Sequence, residues 1–310
     1  MKTVFIDGSA GTTGLRIHER LANREDISLL ILPDSLRKDD DARKDALNSA
    51  DIAFLCLPDD AARAAVAMTN SKNTVIIDTS TAHRTADGWT YGFPEIGNRK
   101  EIIATSHRIA NPGCHASGFI SLVAPLRAHG LLTSDIALTC FSLTGYTGGG
   151  KKMIAQYEDE GRSPLLDAPR MYGLTQSHKH LPEMSAVCGL DTPPIFCPIV
   201  GDFPCGMEVT VPLFKSQCKG SIQDIAALYR DYYRQGLVRF VDTQDTGEGG
   251  FLSASAMAGR DDMQITVTGN EDRILLVARF DNLGKGASGA AIQNMNLVLG
   301  VDEARGLVAE

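Results

Sequence analysis

The hydrophobic positions of the first quarter of the chain fall into short continuous runs separated by segments with helical spacing. The runs cover residues 3–7, 27–32, 51–57 and 74–78. Uninterrupted apolar runs of this length are typical of parallel strands, which are buried on both faces. A helical pattern separates them, most clearly at residues 61–68. Strands that alternate with helices over short connections predict a doubly wound α/β sheet of the Rossmann type.

The pattern changes after about the first third of the chain. After a helical run at residues 119–128, strand-like runs follow with fewer helices between them. These elements cover residues 136–143, 196–200, 207–213, 264–268 and 273–280, with an amphipathic segment at 221–235. This arrangement predicts a second domain of the α+β type. A last helical segment, residues 290–299, could cap either domain.

A glycine-rich segment joins the first predicted strand to the first predicted helix. Its glycines stand at positions 8, 11 and 14, which makes the segment a relative of the dinucleotide-binding fingerprint. In that fingerprint bare backbone N–H groups and a helix N-terminus receive a pyrophosphate. The candidate cofactor contacts are Gly8, Ser9, Gly11, Thr12, Thr13 and Gly14. A glycine-rich turn without a ligand is the alternative.

The segment after the second predicted strand indicates which dinucleotide would bind. Ser35, Arg37 and Lys38 lie where this type of fold meets the adenosine ribose, and they could hold a 2′-phosphate. They therefore favour NADP over NAD. Asp34 could instead accept a hydrogen bond from a ribose hydroxyl, which would favour NAD.

Composition narrows the class of protein. The chain has 310 residues, 43% of them hydrophobic and 22% charged, which is typical of a globular protein large enough for two domains. The net charge of −8 argues against nucleic acid as a partner and for a small molecule. No apolar run is long enough for a signal peptide or a membrane span, so we expect a cytoplasmic protein without a membrane partner.

The seven cysteines are scattered and contain no CxxC pair. This pattern suggests neither a disulfide framework nor a zinc site, and we expect reduced thiols and no metal. Cys114 differs from the others because it follows a Pro-Gly turn and precedes the helical run at 119–128. A thiol in the first turn of a helix is favoured as the thiolate, which suits a nucleophile. A small buried hydrophobe is the alternative.

Several polar residues could complete a site around such a nucleophile. Asn111 could donate to an oxyanion or a phosphate, and Arg84 could bind a phosphate in bidentate fashion or form a surface salt bridge. Lys151 follows three glycines and could face a substrate carboxylate, unless this segment is only a flexible loop. Histidine is the side chain suited to proton exchange near neutral pH, so His178 and His180 could exchange protons with the thiol, although loop histidines are more often solvated.

Four segments in combination resemble the N-acetyl-gamma-glutamyl-phosphate reductases, a family related to aspartate-semialdehyde dehydrogenase. They are DTSTAHR at 78–84, IANPGCHASG at 109–118, HKHLPE at 178–183 and DNLGKGASG at 281–289. The resemblance runs in order over nearly the whole chain.

The resemblance implies a role for each matching residue. Cys114 would be the nucleophile, His180 the acid/base and Arg84 the residue at the substrate phosphate. His178 would be a substrate contact or the acid/base in place of His180. Asn282 and Lys285 would lie on the cofactor side.

The resemblance also implies a domain plan and an assembly. Residues 1–113, completed by 285–310, would form the NADP-binding domain, and residues 114–284 the catalytic and dimerisation domain. The C-terminal helix would return to the first domain. A homo-oligomer, either a dimer or a tetramer, is expected.

The implied reaction is the NADPH-dependent conversion of N-acetyl-L-glutamyl 5-phosphate to the 5-semialdehyde and inorganic phosphate, through a thioester on the cysteine. It belongs to arginine biosynthesis. A related acyl-phosphate reductase, such as aspartate-semialdehyde dehydrogenase or one that acts on a carrier-linked or longer substrate, remains an alternative. A non-catalytic NADP-binding sensor is the alternative from another class.

Overall fold

The computed structural model describes residues 1–246 and 248–309, and these form two compact units. The first unit contains Met1–Pro94, Asn98–Pro112 and Ala287–Leu307. The second unit contains Glu95–Gly97, Gly113–Gly286 and the residues from Val308 on.

The first unit is built on a parallel sheet. In chain order its elements up to residue 110 are β1 (Lys2–Asp7), α1 (Thr12–Leu21), β2 (Ile27–Leu30), α2 (Asp40–Ser49), β3 (Ile52–Leu55), α3 (Asp59–Met68), β4 (Val75–Asp78), β5 (Thr90–Tyr91), α4 (Arg99–Thr105) and β6 (Arg108–Ala110). The strand order is β2-β1-β3-β4-β6-β5, and all pairings are parallel. The order reverses between β1 and β3, so the crevice beyond their carboxyl ends is the expected ligand position of a doubly wound sheet.

The second unit holds a mixed sheet and the helices that pack on it. Its elements are α5 (Cys114–Ala128), β7 (Thr139–Gly145), α6 (Gly150–Glu158), β8 (Arg170–Met171), α7 (Leu181–Cys188), β9 (Ile195–Gly201), β10 (Met207–Phe214), α8 (Ile222–Tyr232), β11 (Val238–Phe240), β12 (Met263–Gly269) and β13 (Arg273–Phe280). The strand order is β11-β12-β13-β10-β7-β9-β8. Helix α5 packs against β10 and β13, and α8 packs against β12.

The last helix, α9 (Gly289–Leu299), belongs to the first unit. Its Ile292 and Met295 join Ile17 of α1 and Ile103 of α4 in one apolar cluster. A second cluster contains Leu47 of α2 together with side chains of α3. The two clusters cover opposite faces of the parallel sheet, so the predicted doubly wound architecture and the return of the C-terminal helix are confirmed.

Several elements differ from the predicted ones. The helix expected at 119–128 begins five residues earlier, at Cys114, and the strand expected at 136–143 spans Thr139–Gly145. Helix α2 was not predicted because it presents a small apolar side, of which Ala46 and Leu47 are the buried residues. Asp39 defines its start, since the carboxylate accepts a hydrogen bond from the Ala42 backbone N–H. The glycine-rich segment before Lys151 is a 3₁₀ turn, Tyr146–Gly149, followed directly by α6, which begins at Gly150.

Candidate active site

Cys114 is the first residue of the 15-residue helix α5, and Gly113 is its N-cap. The side chain is half-buried, and the first turn of the helix contains no acidic residue. The first N–H groups of a helix and its macrodipole stabilise an anion at this position. By contrast, burial raises the pKa of the Cys56 thiol to about 12 and raises the pKa of Cys218. The environment of Cys114 suits a nucleophile.

Glu183 ties the HKHLPE segment to the turn before the cysteine. It lies in the first turn of α7, is buried, and accepts a hydrogen bond from the Gly113 backbone N–H at 3.1 Å. The carboxylate satisfies one of the N–H groups that open α5. Glu183 therefore fixes the backbone that carries Cys114, and its negative charge competes with the thiolate for the positive end of the helix.

Three imidazoles gather around the residue that follows the cysteine. The ring of His115 lies 5.6 Å from that of His178 and 5.5 Å from that of His180, measured between centroids. The rings of His178 and His180 are 4.7 Å apart. Because His115 directly follows Cys114, the two predicted histidines lie in the same neighbourhood as the predicted nucleophile.

The two predicted histidines are suited to different tasks. The backbone N–H of His180 donates to Nδ1 of His178 at 3.2 Å. A neutral His178 must therefore carry its proton on Nε2, where it can donate to a ligand but cannot act as a base. His180, which is buried, is then the better acid/base candidate.

The contribution of His115 was missed by sequence reasoning. Its Nδ1 lies 2.6 Å from the Ser142 hydroxyl oxygen, and its Nε2 lies 2.6 Å from the Tyr172 hydroxyl oxygen. Burial, together with the charges of His178 and Lys179, lowers the pKa of His115 to about 3. His115 is therefore a neutral, hydrogen-bonded ring at neutral pH. Its position next to the cysteine was visible in the sequence, but its partners are far along the chain.

A glycine allows the chain to pass close to the cysteine. A Cβ built at Gly286 would lie 3.0 Å from the Cβ of Cys114, closer than side chains normally approach. Gly286 belongs to a π-helical turn, Gly284–Ser288, and such turns occur frequently at functional sites. The DNLGKGASG segment thus contacts the cysteine through bare backbone.

Asn282 and Lys285, the two predicted cofactor-side residues, are both buried. Asn282 forms hydrogen bonds and Lys285 forms an ion pair with residues of the second unit. Asn282 accepts from the Gly206 backbone N–H and donates to the Thr147 hydroxyl, each at 2.9 Å. The Lys285 ammonium lies 2.8 Å from both carboxylate oxygens of Glu95. These contacts favour a structural role for both residues.

Arg84 and Asn111 are brought together in the first unit. Arg84 donates from Nε to the Asn111 carbonyl oxygen at 2.9 Å and from a terminal nitrogen to the Thr79 carbonyl oxygen at 3.1 Å. The Asn111 amide donates to the Ala287 carbonyl oxygen at 3.0 Å and accepts from Asn294 at 3.2 Å. Asn111 is thus held by its neighbours, and the half-buried Arg84 guanidinium is oriented by carbonyl oxygens.

The glycine motif fits a pyrophosphate. A Cβ at Gly8, where φ is +87°, would lie 2.3 Å from the Cys56 carbonyl oxygen, and one at Gly14 would lie 2.4 Å from the Gly8 carbonyl oxygen. These two glycines are required by the fold itself. A Cβ at Gly11 would meet its nearest neighbour at 3.4 Å, which is ordinary contact, so Gly11 leaves open space at the N-terminus of α1. Thr12 and Thr13 begin this helix, whose first turn has no acidic residue to compete with a ligand anion.

The other predicted contacts lie on the surface of their units. Ser35, Arg37 and Lys38 are exposed, and Arg37 forms an ion pair with Asp34 at 3.3 Å. Lys151 is exposed in the first turn of α6, where a cation opposes the helix macrodipole, so it does not stabilise the helix.

In residues 1–246 and 248–309 there is no group of three or more His, Cys, Asp or Glu side chains that could hold a metal ion. Within the same residues, no helix is long and apolar enough to cross a membrane.

Two family models match the chain. Residues 3–105 match the semialdehyde dehydrogenase NAD binding domain, and residues 114–282 match the semialdehyde dehydrogenase dimerisation domain.

Curated relatives match nearly the full length. The N-acetyl-gamma-glutamyl-phosphate reductase of Brucella abortus is 48% identical over 305 residues, which cover 96% of this chain and 98% of that protein. The N-acetyl-gamma-glutamyl-phosphate reductase 2 of a Nostoc species is 46% identical over 318 aligned positions, which cover 98% of each chain.

Solved structures share the fold at low identity. Aspartate semialdehyde dehydrogenase II from Vibrio cholerae superposes with a TM-score of 0.72 at 16% identity, covering 96% of this chain and 98% of that one. The aspartate semialdehyde dehydrogenase with NADP from Candida albicans superposes with a TM-score of 0.66 at 13% identity, and the match covers 96% of this chain and 99% of that one.

Proposed function

Since the chain belongs to the N-acetyl-gamma-glutamyl-phosphate reductase family, we propose that it reduces N-acetyl-L-glutamyl 5-phosphate to the 5-semialdehyde with NADPH and releases inorganic phosphate. The observation that carries the proposal is the placement of Cys114 at the start of α5 with the imidazole cluster beside it. This arrangement supplies a nucleophile and a proton carrier in one unit.

The first half of the reaction uses groups of this chain. The Cys114 thiolate attacks the acyl carbon, and the electron pair of the broken acyl–oxygen bond leaves with phosphate, which gives a thioester on the sulfur. Arg84 is the candidate to bind the phosphate, because its guanidinium offers paired donors to a tetrahedral anion. His178 can donate from Nε2 to the substrate.

The second half reduces the thioester. When bound, NADPH supplies a hydride for this reduction. His180 supplies the proton exchange at the oxygen of the former carbonyl, and the thiol leaves as the semialdehyde forms. Covalent attachment thereby separates the loss of phosphate from the reduction.

The residues of the first unit that would hold the cofactor are those of the glycine motif and the segment after β2. The open space at Gly11 and the N-terminus of α1 suit the pyrophosphate. Ser35, Arg37 and Lys38 would bind the 2′-phosphate, in which case the ion pair of Arg37 with Asp34 rearranges or is shared.

The assembly we propose is a homo-oligomer, a dimer or a tetramer, formed through the open face of the second sheet. Phe141, Ile195 and Leu275 are 43%, 61% and 39% exposed. The strand registers place all of them on one face of the sheet, and α5 and α8 pack on strands of that sheet. An exposed apolar face of this kind is typical of a protein interface.

We also propose a cytoplasmic location. The seven cysteines are all free thiols in the structure, and the proposed nucleophile must stay reduced.

Substitution of the cysteine tests the proposed function. Cys114→Ser should lower kcat about 10³-fold or more, because a hydroxyl at this position is far less ionised than a thiol. The assay supplies NADP, phosphate and N-acetyl-glutamate semialdehyde, follows nicotinamide absorbance, and includes aspartate semialdehyde as a competing substrate. Cys218→Ala, which removes a buried thiol elsewhere in the second unit, should leave kcat unchanged.

Each alternative predicts a different result. Faster turnover of aspartate semialdehyde would identify the related dehydrogenase, and no turnover of either aldehyde would favour a sensor. Mass spectrometry of enzyme quenched during turnover should show an acyl group on the peptide that contains Cys114.

A further inference from the structure

The hydrogen bonds of His115 form a chain from a buried serine to a half-buried tyrosine. Ser142 lies on β7 and is fully buried, and Tyr172 directly follows β8. Each hydroxyl oxygen is 2.6 Å from one nitrogen of the His115 ring. Because His115 is neutral, one ring nitrogen donates a hydrogen bond and the other accepts one.

The buried Ser142 hydroxyl decides which nitrogen of His115 donates a hydrogen bond and which accepts one. Among the described residues, the Ser142 hydroxyl is hydrogen-bonded to His115 Nδ1. If Nδ1 carried the proton, the Ser142 hydroxyl hydrogen would be buried without an acceptor, which is unfavourable. Ser142 therefore donates to Nδ1, and the His115 proton lies on Nε2, from which it is donated to the Tyr172 oxygen.

This direction leaves the Tyr172 hydroxyl proton available to another acceptor. Tyr172 belongs to the neighbourhood of the cysteine: its ring centroid is 6.0 Å from that of His178, and a Cβ at Gly173 would lie 3.8 Å from the His178 ring. Its hydroxyl also contacts the residue next to Cys114. We propose that Tyr172 donates a hydrogen bond to the carbonyl oxygen of the acyl group on Cys114, and that Ser142 and His115 are positioning residues that orient this donor.

The proposal rests on the proposed function, because it adds a donor for the oxygen that becomes negative when the thiolate attacks. Burial, and to a lesser degree the charge of the Cys114 thiolate, raises the pKa of Tyr172 well above its usual range, so the hydroxyl keeps its proton. The hydrogen bond from His115 Nε2 polarises the Tyr172 oxygen only weakly, since that imidazole is neutral. No proton is transferred: the Tyr172 O–H bond remains intact while the oxyanion forms and collapses.

Removal of the hydroxyl tests the donor. Tyr172→Phe should lower kcat about 10²-fold, which is the usual effect of losing one donor to a developing oxyanion, with a much smaller change in KM. Tyr233→Phe is the matched control, because the Tyr233 hydroxyl is also buried in the second unit and donates to the Ser121 carbonyl oxygen at 2.7 Å. It should lower the melting temperature and leave kcat unchanged. Unchanged kcat in Tyr172→Phe, with wild-type enzyme active and Cys114→Ser inactive, would overturn this inference and leave the proposed function standing.

The direction of the hydrogen bonds from Ser142 through His115 to Tyr172 has its own test, which needs no substrate. Nitrogen NMR of the ¹⁵N-labelled enzyme should show His115 with the proton on Nε2, and Ser142→Ala should shift the ring toward a mixture of tautomers. A wild-type ring protonated on Nδ1 would contradict the proposed direction. This measurement decides the role of Ser142 and His115 even if the enzyme proves to turn over a different substrate.

Discussion

At the scale of single residues, the partner of a buried charge determines what that charge can do. Glu95 and Lys285 have side chains that are 3% and 1% exposed, and they face each other at 2.8 Å. The Glu95 carboxylate also accepts from the Leu237 backbone N–H at 3.0 Å. A lysine held in this way has lost the freedom that a contact with a bound cofactor would require.

Replacement of Lys285 distinguishes a structural role, as the partner of Glu95, from a role as a cofactor contact. Lys285→Met should lower the free energy of unfolding by about 3–5 kcal/mol, because it leaves the Glu95 carboxylate buried without its cation. The double variant Glu95→Gln/Lys285→Met should recover much of the loss, since glutamine can still accept from Leu237. Urea unfolding measures the free energy of unfolding of the single and the double variant, and titration with NADPH measures their affinity for the cofactor.

Lys100→Met is the matched control for that substitution. Lys100 forms a partly exposed pair with Glu303, and its loss should cost less than about 1 kcal/mol. If Lys285→Met instead weakens NADPH binding and leaves unfolding unchanged, Lys285 is the cofactor contact that the family resemblance implies.

At the scale of elements, the turn between β1 and α1 combines two uses of glycine. Gly8 and Gly14 are needed because carbonyl oxygens of the protein itself lie within 2.4 Å of the position that a Cβ would occupy. Gly11 has conventional dihedral angles and room for a methyl group. Its lack of a side chain is therefore not explained by the fold of the unit.

Two alanine substitutions in this turn should affect different properties, one the affinity for NADPH and the other the stability. Gly11→Ala should leave the melting temperature nearly unchanged and weaken NADPH binding about tenfold or more, because the methyl group would occupy space that a pyrophosphate approaches. Gly14→Ala should lower the melting temperature, since the backbone at Gly8 must shift to avoid the new Cβ. Calorimetry and fluorescence titration with NADPH distinguish the two. Equal affinity in Gly11→Ala and wild type would argue against a pyrophosphate at this turn.

At the scale of the whole molecule, the second sheet exposes large apolar side chains on one of its faces. Phe141 and Ile195 lie on this face, on the adjacent parallel strands β7 and β9. Two copies of the chain could bury such faces against each other, which would remove the exposed apolar surface from water.

Charges on this face should break the assembly. The double variant Phe141→Asp/Ile195→Asp should elute as a monomer, whereas the wild type should have at least twice the mass of one chain, because each carboxylate would lose its hydration at the interface. Light scattering coupled to size-exclusion chromatography measures the mass. Ile102→Asp, at an exposed apolar position on α4, is the control and should keep the wild-type mass. A double variant that retains the wild-type mass would place the interface elsewhere.

The sequence by itself determined four of the six strands of the parallel sheet, β1 to β4, because apolar runs and glycine spacing act over a few residues and report local structure directly. It also indicated Cys114, whose position at a helix start follows from the adjacent Pro-Gly turn. It did not predict helices α2, α4, α6 and α7, the two- and three-residue strands β5, β6, β8 and β11, or the partners of His115. Ser142 and Tyr172 lie 27 and 57 residues from His115, and Glu183 lies 70 residues from Gly113. Only tertiary packing decides such long-range pairs, because they depend on which strands and helices become neighbours and not on the pattern within any one of them.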